Sequence, residues 1–177
     1  MPNQDNNDLS LPTEGQLLDT LKTSIEDTFA AMLINFRSLA GQESSRDEGL
    51  GRTPEMAENP TPSDVEYAST VRFDGALNGA IVLRFTSNGA QDIARGLLML
   101  DDGDTLELED ICDALGECAN LVSGALKTKA LDPVSQFTMS CPITSGPTAT
   151  SESADREGST LAYHLTRGQL TAEVWLK

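Results

Sequence analysis

Positive charge is scarce in this sequence. Its 177 residues contain 12 Lys and Arg against 28 Asp and Glu, which gives a formal net charge of −16 at pH 7. A protein that binds nucleic acid needs a cationic surface to displace counterions, and an anionic membrane attracts the same kind of surface. The charge balance therefore argues against nucleic acid and membrane as partners. It identifies no partner by itself.

Cysteine, histidine and long apolar runs are also scarce. The three cysteines (Cys112, Cys118 and Cys141) lack the spacing of a metal site and are typical of reduced thiols in a cytosolic protein. The single histidine, His164, cannot build a zinc site alone. No apolar run approaches the ~20 residues of a membrane span. The N-terminal residues also lack the basic segment followed by an apolar segment that is typical of a signal peptide. We expect a cytoplasmic protein without a metal site of its own.

The length suits one domain with a substantial core. Residues 1–12 are polar and are expected to form a disordered tail, and residues 13–177 to form a single domain. Residues 41–64, GQESSRDEGLGRTPEMAENPTPSD, are rich in Gly, Pro, Ser and acidic residues and show no period. We therefore expect a mobile loop there, inside the domain.

The first part of the domain predicts a helix and then a hairpin. Thr13 and Gln16 have the spacing of a capping box, and apolar residues keep helical spacing from there to Phe36. Side chains then alternate with a period of two residues, as in a strand, at 65–73 and at 81–85. The connector DGALNG contains Asp-Gly and Asn-Gly, so these two segments are expected to pair as a β-hairpin.

Two more helices are predicted after the hairpin. The first begins at Ser87 or Asn88 as its N-cap residue. The second is expected at about 105–130, where Asp104 and Glu107 have the spacing of a capping box.

The C-terminal third predicts strands. Alternation at 137–143 indicates a strand, in which Pro142 favours a sheet edge. Two further strands follow at 161–165 and 170–176. The order of elements is then α-β-β-α-α-β-β-β. Strands segregated from helices predict an α+β fold, with helices packed on one face of an antiparallel sheet.

Four residues of the longest helix form a line on its surface. At 100° per residue, Asp113, Glu117, Asn120 and Gly124 gather within roughly 60°, opposite an apolar stripe. Asn and Gly each cost about 0.5–1 kcal/mol against Ala inside a helix. A solvated face or a helix–helix contact is one interpretation of this line. The other interpretation is a surface that binds another protein.

The motif Asp113-xxx-Glu117-xx-Asn120, followed by LVSGA, resembles the active-site helix of the CheC/CheX/FliY phosphatases. These proteins dephosphorylate response regulators of bacterial chemotaxis and related two-component systems. A single copy of the motif is similar to the CheX-like branch. The segments FAAML, GALNG and GLLML come in the family's order, whereas the long 41–64 segment, the residues CAN and Ala125 depart from its pattern.

The resemblance implies an enzyme that hydrolyses the aspartyl phosphate of a phosphorylated, CheY-like receiver domain. Glu117 and Asn120 would be the catalytic residues. A neutral carboxamide can orient a water without repelling phosphate, which suits Asn120, and Glu117 can pair with the receiver's lysine. Asp113 and Gly124 would contact the partner, with Gly124 giving clearance. No cofactor of its own is expected, since the divalent metal would belong to the receiver.

Two alternatives to the phosphatase remain open in the sequence. A non-catalytic adaptor or flagellar-switch-like module of the same fold would bind through the same face. A thiol- or metal-dependent enzyme would use Cys118 or a metal site. The resemblance also suggests a homodimer through strand edges, for which the strand at Pro142 is one candidate.

Overall fold

The computed structural model describes residues 10–32, 34, 36–38, 67–101, 103–146 and 160–177. The predicted mobile loop at 41–64 lies outside these residues, as do residues 1–9 of the disordered tail predicted at 1–12. The helices are α1 (Glu14–Ala31), α2 (Ser87–Leu98) and α3 (Leu108–Leu126), and a π-helical turn (Lys127–Leu131) continues α3. The strands are β1 (Phe36–Ser38), β2 (Tyr67–Asp74), β3 (Gly79–Phe85), β4 (Thr138–Met139), β5 (Ile143–Ser145), β6 (Thr160–Leu165) and β7 (Gln169–Leu176).

The strands form one antiparallel sheet in the order β1-β6-β7-β3-β2-β4, and β5 also pairs with β2. On its helix-facing side, Val71 of β2 lies beside Ile81 of β3, which lies beside Val174 of β7. These side chains share one hydrophobic core with the buried faces of all three helices. The predicted α+β class is therefore confirmed.

The first helix is shorter than the apolar spacing predicts. It ends at Ala31, and Phe36, expected to be helical, instead begins β1. β1 pairs with β6, placing Phe36 opposite Leu165. The sequence prediction was wrong here because these residues pair with a strand far along the chain. Local periodicity does not reveal such a distant hydrogen-bonding partner.

The strand predicted at 137–143 is also different. It is divided into β4 and β5, both paired with β2, with Pro142 immediately before β5. Proline cannot donate to a ladder, which fits this break in the pairing. With β1 added, the predicted order α-β-β-α-α-β-β-β becomes α-β-β-β-α-α-β-β-β-β.

The starts of α1 and α2 lie close to the predicted caps. The capping box of α1 is confirmed: the Gln16 N–H donates to Thr13 Oγ1 (3.3 Å), and the Thr13 N–H donates to Gln16 Oε1 (2.8 Å). For α2 the N-cap residue is Thr86, whose hydroxyl accepts from the Gly89 N–H at 3.3 Å, rather than Ser87 or Asn88.

The start of α3 falls three residues later than expected, at Leu108. The Asp110 carboxylate accepts from the Glu107 N–H at 3.1 Å, so Glu107 is the N-cap residue. Asp104 instead accepts from the Asp101 N–H at 2.8 Å, inside the preceding turn. The predicted Asp104–Glu107 box was therefore wrong by one turn.

Candidate functional site

The line of polar residues on α3 is exposed as the periodicity predicts. Asp113, Glu117, Asn120 and Gly124 are all exposed, whereas the opposite side of the helix is buried. Leu115, Cys118 and Val122 each have 0% of their surface accessible. We call the four exposed residues the polar stripe.

α3 is a firm support for the polar stripe. Both α1 and α2 pack against it, and its inner residues belong to the hydrophobic core. Beyond its last turn, Lys129 Nζ lies 2.7 Å from a carboxylate oxygen of Asp27 on α1, and Lys127 Nζ lies 2.8 Å from one of Asp132. Side chains on a packed helix of this kind are held more precisely than side chains on a loop.

A groove of about 560 Å³ runs beside the polar stripe. One side of it is α3, including Asp113, Glu117 and Asn120. The other side, which we call the groove wall, is the segment 139–144, which runs from the end of β4 into β5. The wall residues that line the groove are Met139, Ser140, Cys141, Pro142 and Thr144.

Hydrogen bonds to β2 hold the groove wall in place. The Thr144 hydroxyl lies 2.7 Å from the hydroxyl of the buried Ser69. Ser140 is bonded twice to Arg72: its N–H donates to the Arg72 carbonyl at 2.9 Å, and its hydroxyl accepts from the Arg72 N–H at 3.0 Å. The wall is therefore attached to the sheet and does not depend on a partner for its position.

Gly116 lies where α3 faces the wall. A Cβ at this position would lie 3.4 Å from Thr144 Oγ1, so helix and strand meet at this glycine. Gly124 differs, since a Cβ there would meet no described atom within 4 Å. A helix–helix contact within the described part of the chain therefore does not explain Gly124.

The groove wall was missed in the sequence analysis. Its residues are separated from the polar stripe in sequence, and only the pairing of β5 with β2 brings them to the same groove. The alternation at 137–143 and Pro142 were visible signals of a strand edge. Nothing local in the sequence indicated which helix this edge would face.

The thiol next to the polar stripe is not an activated nucleophile. Cys118 is fully buried, and burial, reinforced by the neighbouring Glu117 carboxylate, raises the pKa of its thiol to about 12. Burial, with the Asp113 carboxylate as a second cause, also raises the pKa of Cys112. A reactive cysteine requires the opposite shift.

The described residues hold no group of three His, Cys, Asp or Glu side chains that could bind a metal ion. His164 is half-buried on β6, opposite Gln169 of β7. Within the same part of the chain, no helix is long and apolar enough to cross a membrane.

Solved structures similar to this chain share its fold. Chemotaxis protein CheX from Desulfovibrio desulfuricans has a TM-score of 0.64 at 19% identity, covering 91% of this chain and 99% of its own. CheX from Vibrio vulnificus has a TM-score of 0.66 at 15% identity, covering 94% and 99%. The CheX-CheY-BeF3-Mg²⁺ complex from Borrelia burgdorferi has a TM-score of 0.62 at 14% identity, covering 91% and 97%.

Comparison of the sequence itself gives a family. A search of the curated proteins finds no significant match. The family model "Chemotaxis phosphatase CheX" matches residues 67–161, which include β2, β3, α2 and all of α3 with the polar stripe. This span is more than half of the chain. The chain therefore belongs to the CheX family of chemotaxis phosphatases.

Proposed function

We propose that this protein hydrolyses the aspartyl phosphate of a phosphorylated CheY-like receiver domain, with Asn120 orienting the attacking water and Glu117 pairing with the receiver's lysine. The observation that carries the proposal is the polar stripe. Glu117 and Asn120 are exposed, one turn apart, on a helix whose other side is anchored in the core. Asp113 and Gly124 extend the same line on either side and would contact the receiver.

The chemistry requires little from this chain beyond positioning. Water attacks phosphorus, the bond between phosphorus and the aspartyl oxygen breaks, and the products are a free carboxylate and inorganic phosphate. The receiver supplies the metal and the lysine in this proposal. Phosphoryl transfer depends mainly on alignment and on stabilisation of charge. A carboxamide that accepts a hydrogen bond from the water, close to the phosphoryl group but without a charge of its own, meets that need.

Glu117 has a separate part in the proposal. Residues three apart on a helix are surface neighbours, so Glu117 and Asn120 occupy adjacent positions on the exposed side of α3. A charge-assisted hydrogen bond to the receiver's lysine would orient the helix over the phosphorylated site. It would also hold the lysine in one place.

The partner class is supported by a relative. The Borrelia burgdorferi structure contains CheX together with CheY, BeF3 and Mg²⁺. Beryllium trifluoride has the shape and charge of a phosphoryl group. A receiver domain carrying it is therefore a stable probe for binding without turnover.

The test is phosphate release from phosphorylated receiver domains of the same organism, with wild type beside Asn120→Ala and Glu117→Gln. We expect Asn120→Ala to lower kcat by about 100-fold, as is usual when one positioned group is removed, while still binding the BeF3-loaded receiver. Glu117→Gln should weaken binding as well as rate because it removes the charged partner of the lysine.

Matched controls come from other helices. Asn88 on α2 and Asp19 on α1 are exposed, so Asn88→Ala and Asp19→Asn make the same kinds of change away from the polar stripe. Both should keep full activity. Binding of a receiver by wild type without acceleration of phosphate release would contradict the enzyme and favour the adaptor. Unchanged kcat in Asn120→Ala would remove the water-positioning role from that residue.

A further inference from the structure

We propose that the receiver domain also docks on the groove wall, and that Cys141 and Pro142 there determine affinity for the receiver without taking part in the reaction. The inference rests on the proposed function and adds a second contact surface to it. The wall belongs to no part of the sequence motif. It is assigned from the geometry of the groove.

The size of a protein interface brings the wall within reach of a receiver that covers the polar stripe. Even a small transient interface buries about 600 Å² on each partner, which corresponds to a patch with a radius of about 14 Å. A receiver whose phosphorylated site reaches Asn120 would cover the polar stripe and part of the surface around it. The groove beside the stripe is bounded by α3 and the wall, which meet where Gly116 faces Thr144. A patch of that size around the stripe would include the wall.

The wall is ready to be bound without rearrangement. Its bonds from Ser140 to Arg72 and from Thr144 to Ser69 fix both of its ends on β2. Pro142 has a restricted backbone and no N–H that a partner would have to satisfy. Docking on such a surface costs little ordering entropy.

The chemistry of the wall complements that of the polar stripe. The stripe carries two carboxylates, and the whole chain has a net charge of −16. The five wall residues that line the groove are all neutral, with Ser140 and Cys141 exposed and Met139 and Pro142 half-buried. A neutral, partly apolar surface adds contact area to the interface without adding to the negative charge of this chain.

Cys141 provides a direct probe of this contact. Its thiol is exposed, whereas Cys118 is fully buried and Cys112 is half-buried. Wild-type protein is treated with a maleimide reagent, alone or saturated with receiver carrying BeF3 and Mg²⁺, and labelling is measured at each cysteine by peptide mass spectrometry. We expect the receiver to slow labelling of Cys141 by about tenfold or more. An Asn88→Cys variant places a control thiol on the exposed start of α2, where no protection is expected.

Steady-state kinetics test the same inference independently. Cys141→Arg should raise KM by about tenfold, the usual scale for one well-packed contact, with kcat unchanged, because it alters docking and no reacting group. Cys141→Ser is the matched control and should behave as wild type. A Cys141→Arg variant with wild-type KM, or equal labelling of Cys141 with and without receiver, would overturn the docking role of the wall.

The two proposals fail in different ways. If the wild type releases phosphate and Asn120→Ala does not, while Cys141 stays unprotected, the proposed function stands and the proposed docking on the groove wall is wrong. If no receiver binds at all, the proposed function falls, and the docking surface falls with it.

Discussion

The substitution Gly124→Ala is expected to have opposite effects on the stability of the protein and on its binding of the receiver. The change adds one methyl group at an exposed position of α3, and no described atom lies within 4 Å of the new Cβ. The helix continues beyond this residue into the π-helical turn, and the Thr128 hydroxyl bonds the Gly124 carbonyl at 3.0 Å. Gly124 is therefore an interior helical residue with room for a side chain.

The expected gain in stability follows from helix propensity. Alanine is favoured over glycine in a helix interior by about 0.8–1 kcal/mol. With no steric cost in the folded chain, the free energy of unfolding should rise by about 1 kcal/mol. For a domain of this size the midpoint of thermal unfolding should rise by about 2–4 °C. Urea unfolding monitored by circular dichroism, with thermal scans beside it, measures both quantities.

Activity should fall although stability rises. If the receiver approaches the backbone at Gly124, the added methyl group overpacks the contact and raises KM by about tenfold, within the usual cost of such crowding. Gly15→Ala is the matched control, because its Cβ also meets no described atom within 4 Å and it lies in the first turn of α1. A destabilised Gly124→Ala variant would refute the packing argument. A stabilised variant with unchanged KM would refute the clearance role.

Two further predictions concern buried groups away from the interface. Asp92 accepts from the Arg167 N–H at 2.6 Å and from the Arg167 Nε at 2.7 Å, so Asp92→Ala should lower the free energy of unfolding by about 2–3 kcal/mol, and urea unfolding equal to wild type would contradict this role. The Cys118 thiol, with its ordinary pKa of 9.0 raised to about 12 in the fold, stays protonated while the unfolded chain ionises. Its contribution to stability is complete below pH 9.0 and is lost as pH rises toward 12, so wild type should lose about 1.4 kcal/mol per pH unit relative to Cys118→Val above pH 9. Parallel pH dependence of the two proteins in urea unfolding from pH 8 to 11 would refute that linkage.

The dimer suggested by the family resemblance stays a prediction. β4 and β5 pair with β2, at the end of the strand order, as the position of Pro142 favoured. The cytoplasmic location stays a prediction as well. Sedimentation of the purified protein and fractionation of the source cells would address these two points separately.

Periodicity determined most of the elements correctly because each was specified locally. The hairpin of β2 and β3 follows from alternation and two turn dipeptides, and the exposed side of α3 follows from the helical repeat. The errors lie where a distant partner decides the local structure. Phe36 belongs to a strand because β6 pairs with it. The N-caps of α2 and α3 lie at Thr86 and Glu107, away from the predicted residues, because other side chains of similar chemistry make the capping hydrogen bonds.

The sequence by itself determined the polar stripe, because the repeat of a helix fixes which residues share a face whatever surrounds it. It also carried the family motif. Only the tertiary structure decided what lies beside that stripe. Thr144 faces Gly116, and Cys141 lines the same groove as Asn120, because β5 is hydrogen-bonded to β2. That pairing joins segments more than seventy residues apart, and no local pattern records it.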